Sequence, residues 1–173
     1  MRAFEVPPAE GNLDLETTFE LAITEYGPAL YGLALAITGG VADAEDAYQA
    51  ALEQAWQRWG SLRKSTSARP WLAKICARTA IRSRRRRLHW ITRHVDVEHA
   101  SNLGSLIHWD PDLGRALDQL TTRQRAVISL HYGQGYSLDE VGGLLGISGG
   151  TVRSHLNRAL DHLRKELMDE TRP

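Results

Sequence analysis

The chain has 173 residues, 42% of them apolar, with 21 basic and 21 acidic side chains, enough for one ordinary domain or two small ones. A net charge of zero argues against a protein that holds polyanions by bulk charge. The single cysteine, Cys76, excludes an intramolecular disulfide and a cysteine-rich zinc site. No apolar run nears the ~18 residues of a membrane span, and the N-terminus lacks the basic-then-apolar pattern of a signal peptide. These features predict no membrane insertion and a reducing, cytoplasmic setting, with Cys76 a small core residue beside Leu72, Ile75 and Ala80.

The zero average conceals a separation of charge. Through Arg58 there are ten acidic and two basic residues, whereas Arg63 to Val95 holds eleven Lys or Arg and no acid. An electropositive surface beside an acidic one suggests a nucleic acid partner for the first and a basic protein partner for the second.

Residues 1–13, with Pro7-Pro8 and little periodicity, read as a mobile tail. A first helix is predicted from Leu15 to Tyr26. Pro28 suits the first turn of a second, which carries Leu30, Leu33, Ala34 and Ile37 and stops at Gly39-Gly40. A third, from about Ala42 to Trp59, is capped near Asp43 and ends at Gly60. Pro70 suits the start of a fourth, which follows a polar loop at Ser61 to Ala68 and continues through Ile75, Thr79 and Arg82. These four helices make a compact domain over 14–87. Residues 88–110 lack helical phase and exceed the usual connection length, so they read as an interdomain linker. Trp90, Ile91, Ile107 and Trp109 make that linker more apolar than a free tether needs, and part of it is expected to dock.

A second domain, 111–170, opens with Leu113, Ala116, Leu117 and Leu120. Thr121 with Gln124 forms a capping box for a helix from Arg123 to Tyr132. Ser137 with Glu140 forms another, Gly146 supplies a sharp turn, and Ser148 caps the last helix. On that helix Val152, Leu156, Ala159, Leu160 and Leu163 share one face, leaving Arg153, Ser154, Asn157 and Arg158 on the other. This is a helix-turn-helix, whose second helix reads base edges in the major groove. The predicted fold class is all-α, two small helical domains joined by a flexible linker, the C-terminal one with a helix-turn-helix.

Three surfaces carry function. Arg153, Ser154, Asn157 and Arg158 are base-reading types at suitable spacing, one bidentate contact being worth about 1–3 kcal/mol of discrimination. Arg78, Arg82 and Arg84 to Arg87 form a cationic ridge suited to a phosphate backbone. Trp56, Trp59 and Trp71 lie near the adjoining loop, where an aromatic face can stack an unpaired base, although core packing is the better reading for each alone. Asp43, Glu45 and Asp46, with Gln49, Glu53 and Gln54, face away from DNA, because carboxylates repel phosphates.

Four blocks in order, Asp43-Ala-Glu-Asp-Ala-Tyr-Gln49 with Ala55-Trp56, Arg69-Pro-Trp-Leu-Ala-Lys-Ile75, Leu120-Thr-Thr-Arg-Gln-Arg-Ala-Val127 and Gly146-Ile-Ser-Gly-Gly-Thr-Val-Arg-Ser154, resemble the extracytoplasmic-function (group IV) sigma factors. The resemblance spans about residues 15 to 167. It implies a bacterial initiation factor that binds core RNA polymerase and directs it to promoters. Asp43, Glu45, Asp46, Gln49, Glu53 and Trp56 would dock on the clamp of the largest subunit, with the flap of the second largest as a further contact. The minus-ten element would be recognised and melted through Arg63, Lys64, Ser65, Thr66, Lys74, Arg78, Arg82, Arg85 and Arg86, a flipped base entering the Ser61 to Ala68 loop. The minus-thirty-five element would be read through Thr151, Arg153, Ser154, Asn157 and Arg158. An anti-sigma factor is a further partner the family implies; no cofactor or metal is. Family members usually carry a larger apolar pair where this chain has Ala47 and Tyr48.

The competing reading is a helix-turn-helix regulator binding an operator as a dimer. It leaves the basic surface and acidic helix of the first domain unexplained. An enzyme finds no support, because no HExxH, phosphate-cradling glycine motif or paired Cys and His occurs.

Overall fold

The computed structural model describes residues 12–62, 67–94 and 111–169. The predicted tail up to Gly11, Arg63, Lys64, Ser65 and Thr66 of the loop, and the linker from Val95 to Asp110 lie outside them. Seven α-helices and one π-helical turn, with no strand, make up the described residues.

Three long helices form the N-terminal domain: α1 (Asn12–Thr38), α2 (Val41–Trp59) and α3 (Ala68–His94). α1 replaces the two helices expected from Pro28, which lies inside it. Proline removes the bond to the carbonyl four residues back. That carbonyl belongs to Thr24, and both Thr24 and Pro28 are exposed, so water can take the acceptor. Gly27 has no Cβ to meet the proline ring, and a Cβ there would lie 2.8 Å from the Tyr48 hydroxyl. α1 thus continues over a proline that a side chain before it would have made a stop.

The small residues of α2 set the spacing of this domain. Ala44, Ala47, Ala51 and Ala55 are buried at three- and four-residue steps, which lets α1 and α3 approach closely. Trp59 is 1% exposed, donates from Nε1 to Thr18 Oγ1 at 3.1 Å and meets Phe19 and Trp71 edge-on. Trp59 is therefore core, and no base can stack on it. Cys76 is also core: it donates to the Leu30 carbonyl at 3.2 Å, and burial pushes its thiol up to about 12. Asp43 does not cap α2, whose N-cap is Gly40 without a side-chain bond. It pairs instead with Arg87 of α3. α3 itself runs seven residues past the predicted domain end at Arg87, to His94, so the predicted linker begins as helix.

The C-terminal domain comprises α4 (Pro111–Asp118), α5 (Thr122–Ile128), a π-helical turn (Ser129–Gly133), α6 (Leu138–Leu145) and α7 (Gly149–Asp169). The helix expected from Arg123 to Tyr132 thus turns π-helical after Ile128, where the Gln134 N–H reaches back five residues to the Ser129 carbonyl. Both predicted capping boxes are present, Thr121 with Gln124 and Ser137 with Glu140. Gly146 ends α6 at φ 69°, in the left-handed region that glycine enters without strain.

The two domains share one apolar core. Val127, Leu130, Tyr136, Leu144 and Leu145 belong to the same buried cluster as Leu33, Ile37, Leu72 and Ala77. Polar contacts fasten the seam. Arg78 Nε donates to the Leu144 carbonyl at 3.2 Å, and Gln134 Nε2 donates to the Ala29 carbonyl at 3.0 Å. Arg69 donates to the Gln134 carbonyl and stacks 5.0 Å over the Tyr136 ring.

Candidate nucleic-acid interface

On α7 the helical period separates core from surface. Val152, Leu156 and Ala159 are buried, whereas Thr151, Arg153, Ser154, Asn157 and Arg158 are all exposed on one side. Ser148 Oγ accepts from the Thr151 N–H at 3.2 Å and pairs with the Thr151 hydroxyl at 2.8 Å. That cap fixes the first turn despite Gly149 and Gly150, and presents Arg153 one turn in. α6 is set against α7 through Gly142, whose carbonyl accepts from both Gly146 and Ile147. His155, between the exposed and buried faces, has its pKa lowered by burial first and then by Arg123 and Arg158. Its proton is disfavoured by the same positive field that suits a phosphate.

α3 carries the second cationic surface. Lys74, Arg78 and Arg82 recur every four residues and line a 390 Å³ cleft with Gln54, Arg58 and Trp71. Arg78 and Arg82 also line a second cleft, together with Arg85 and Arg86. The sequence reading missed Arg58 and Arg123. Arg58 ends α2 beyond the arginine run, and Arg123 belongs to the other domain, so only folding brings them to α3. Arg84 and Arg87, predicted within the ridge, point elsewhere: Arg84 donates to the Thr38 carbonyl at 2.7 Å, and Arg87 holds Asp43.

The acidic surface lies on the outer face of α2. Glu45, Asp46, Gln49, Glu53 and Trp56 are all exposed, and Trp56, at 45% exposure, rests against Phe19. Asp43 stands apart from this stripe, turned toward Arg87.

Arg125 is the polar residue that the sequence concealed most completely. Its side chain is 1% exposed; Nε donates to the Leu117 carbonyl at 2.8 Å, Nη1 to the Ala36 carbonyl at 3.1 Å, and Nη2 pairs with Asp118. Burial, reinforced by neighbouring Arg84, lowers its pKa to about 10, with Asp118 opposing. It remains charged at neutral pH. Arg84 and Arg125 thus converge on the carbonyl end of α1, where the helix dipole favours cations. A guanidinium in a motif rich in arginine gives no local sign that it is buried, although the carbonyl end of α1 and Asp118 are the kinds of acceptor it requires.

Among the described residues no helix is long and apolar enough to cross a membrane, and no cluster of His, Cys, Asp or Glu could hold a metal.

A helix-turn-helix with a polar outer face, an arginine-bearing helix in a second domain and an acidic helix beside it define a two-headed helical DNA reader with a protein-docking side. Comparisons with known proteins give the family. Residues 22–91 match the model of sigma-70 region 2, and residues 116–165 match sigma-70, region 4. The extracytoplasmic-function (ECF) RNA polymerase sigma factor SigL of Mycobacterium tuberculosis is 34% identical over 156 residues, covering 84% of this chain and 86% of SigL. RfaY of Xanthomonas campestris, named as an RNA polymerase sigma factor, is 33% identical over 154 residues; the match covers 79% of this chain and 37% of RfaY. The sigma factor RpoE of Bartonella quintana, solved with the anti-sigma factor NepR, superposes with a TM-score of 0.71 at 27% identity, covering 87% of this chain and 96% of RpoE. The chain belongs to the sigma-70 family, in its ECF branch, whose members direct promoter-specific transcription. A region 2 match over the N-terminal helices removes the ground for a dimeric operator-binding regulator.

Proposed function

We propose that this chain binds core RNA polymerase through the outer face of α2, engages the minus-ten element through α3 and the loop before it, and reads the minus-thirty-five element through α7. The observation that carries the reading is the placement of two exposed cationic faces, Lys74 to Arg86 and Thr151 to Arg158, on different domains, with the acidic stripe Glu45 to Trp56 directed elsewhere. Region 2 then comprises 14–87 and region 4 comprises 111–170, joined by the intervening linker. Phosphates are held by guanidiniums and α7 reads base edges, where Arg and Asn can each make bidentate contacts. An anti-sigma factor is a further partner, supported by the likeness to RpoE, which was solved with one.

Run-off transcription with core polymerase tests this reading. The full chain is expected to give promoter-specific transcripts. Arg153→Ala should reduce them through the upstream element, by an amount consistent with about 1–3 kcal/mol per lost bidentate contact, while core binding stays intact. Asp46→Lys should weaken core binding and leave the upstream contact unchanged. Tight promoter binding by the free protein, without polymerase association, would overturn the assignment.

A further inference from the structure

Between α3 and the C-terminal domain lies a cleft of about 540 Å³. Its floor is apolar, with Ile81 from one domain and Leu145 from the other. The walls are Arg78, Arg82, Arg85, Arg86 and His89 of α3, faced by Arg123 of α5, and among the described residues no carboxylate lines it. Ion pairs elsewhere among the described residues take Arg87, Arg125 and Arg164; none gives Arg82, Arg85, Arg86 or Arg123 an acidic partner. Two domains therefore close with like charges facing each other across a cavity. The opposition is strong enough that, after burial, Arg85 and Arg78 are what lower the pKa of Arg123.

Like charges gathered around one open cleft favour a multivalent counter-ion, which offsets several of them at once. The volume lies within the roughly 300–1,000 Å³ of small-molecule sites, and a DNA duplex, about 20 Å across, cannot enter it. Guanidiniums present planar forks that match phosphate oxygens in pairs. A single phosphate cannot meet five guanidiniums spread along both walls, whereas a short phosphate chain can. We propose that this cleft binds one compact oligophosphate, the chemistry shared by inorganic tripolyphosphate and the polyphosphate arm of a nucleotide, bridging Arg123 to the arginines of α3. The anion neutralises the repulsion across the seam and so holds the two domains together. The site shares Arg78, Arg82, Arg85 and Arg86 with the face proposed for the minus-ten element and adds Arg123 of the other domain, and its test needs neither DNA nor polymerase.

Isothermal titration of the full chain at about 0.15 M salt, where screening extends over roughly 8 Å, should show tripolyphosphate binding at one per chain and orthophosphate at least tenfold weaker. Arg123→Gln should weaken tripolyphosphate at least tenfold, and Arg85→Gln likewise. Lys165→Ala, on the exposed far end of α7, should bind as the parent does. ATP tighter than tripolyphosphate identifies a nucleotide as the ligand, and equal affinities identify the phosphate chain alone; adenosine should not bind. Circular dichroism melts establish that each variant is folded, and if Arg123→Gln is not, Arg85→Gln and Lys165→Ala decide the matter. Binding of several anions per chain, or equal affinity in folded Arg123→Gln and parent, would overturn the proposal.

Discussion

Arg125 shows how one side chain can belong to two domains. Its guanidinium satisfies the Leu117 carbonyl and Asp118 within its own domain and the Ala36 carbonyl of α1 across the seam. Removing one partner of a buried ion pair leaves the remaining charge and acceptors without donors, which costs far more than the net worth of the contact. Arg125→Ala should therefore lower stability by about 3 kcal/mol, measured by urea unfolding, whereas an exposed neighbour such as Thr121→Ala should cost about 1 kcal/mol through its lost cap. A loss below about 1 kcal/mol for Arg125→Ala would show that water replaces its contacts. Cys76 illustrates the opposite case, since its place in the core was legible from its apolar neighbours in the sequence. Nothing in the local sequence distinguishes Arg125 from Arg123, and the two differ because one meets the carbonyl end of α1 while the other meets a cavity.

At the scale of elements, features encoded within a few residues were the ones that could be read. Both capping boxes, the glycine turn at Gly146 and the exposed stripe of α7 follow from local hydrogen bonding and helical period. Pro28 misled because Gly27 before it and a solvent-facing Thr24 carbonyl let α1 continue, and only the first of these is visible in the sequence. The π-helical turn was missed because Leu130 and Tyr136 are drawn into the shared core. The tightest point of the helix-turn-helix is Gly142, where an added Cβ would lie 2.9 Å from the backbone oxygen of Ile147 and 3.7 Å from Val152 Cγ2. That oxygen cannot move aside as a flexible side chain would. Gly142→Ala should cost about 1–3 kcal/mol by overpacking and should weaken minus-thirty-five binding by splaying α6 from α7. Gly143→Ala is the control, since a Cβ there meets nothing within 4 Å. Equal melting temperatures for the two variants would contradict this account.

The whole molecule presents a geometric conflict with simultaneous promoter reading. The described residues, 12–62, 67–94 and 111–169, packed as one body have a radius of gyration of about 14 Å, hence a diameter of about 40 Å at most. The minus-ten and minus-thirty-five elements, about 25 base pairs apart, are separated by ~85 Å along B-DNA. The closed arrangement, with its continuous core, is too short to read both at once. The sixteen residues between His94 and Pro111 can reach at most about 55 Å when extended, enough to let the domains part. Dyes on Glu25→Cys and Lys165→Cys should therefore lose energy transfer when core polymerase is added. Cys76 will not take label, because its thiol is buried and pushed up to about 12. Unchanged transfer in a transcribing complex would exclude opening. The two domains were legible from composition and spacing, but their union was not, since the seam joins residues such as Ala36 and Arg125 that no local pattern relates.

Gly39 stands at the corner between α1 and α2 with φ 82°, and a methyl there would sit 2.6 Å from Arg84 Nη1 and 2.8 Å from Arg125 Nη1. What can occupy this corner is thus decided partly by a residue 86 positions further along the chain. Among descendants of this sequence the two sites are not free to drift separately. A lineage that gives up Arg125 removes one of the obstacles at position 39 and leaves Arg84 Nη1 and the left-handed φ, and one that gains a side chain there must relocate both guanidiniums. Such linked change, recorded across two domains that also have to come apart, would be the hereditary trace of the closed state.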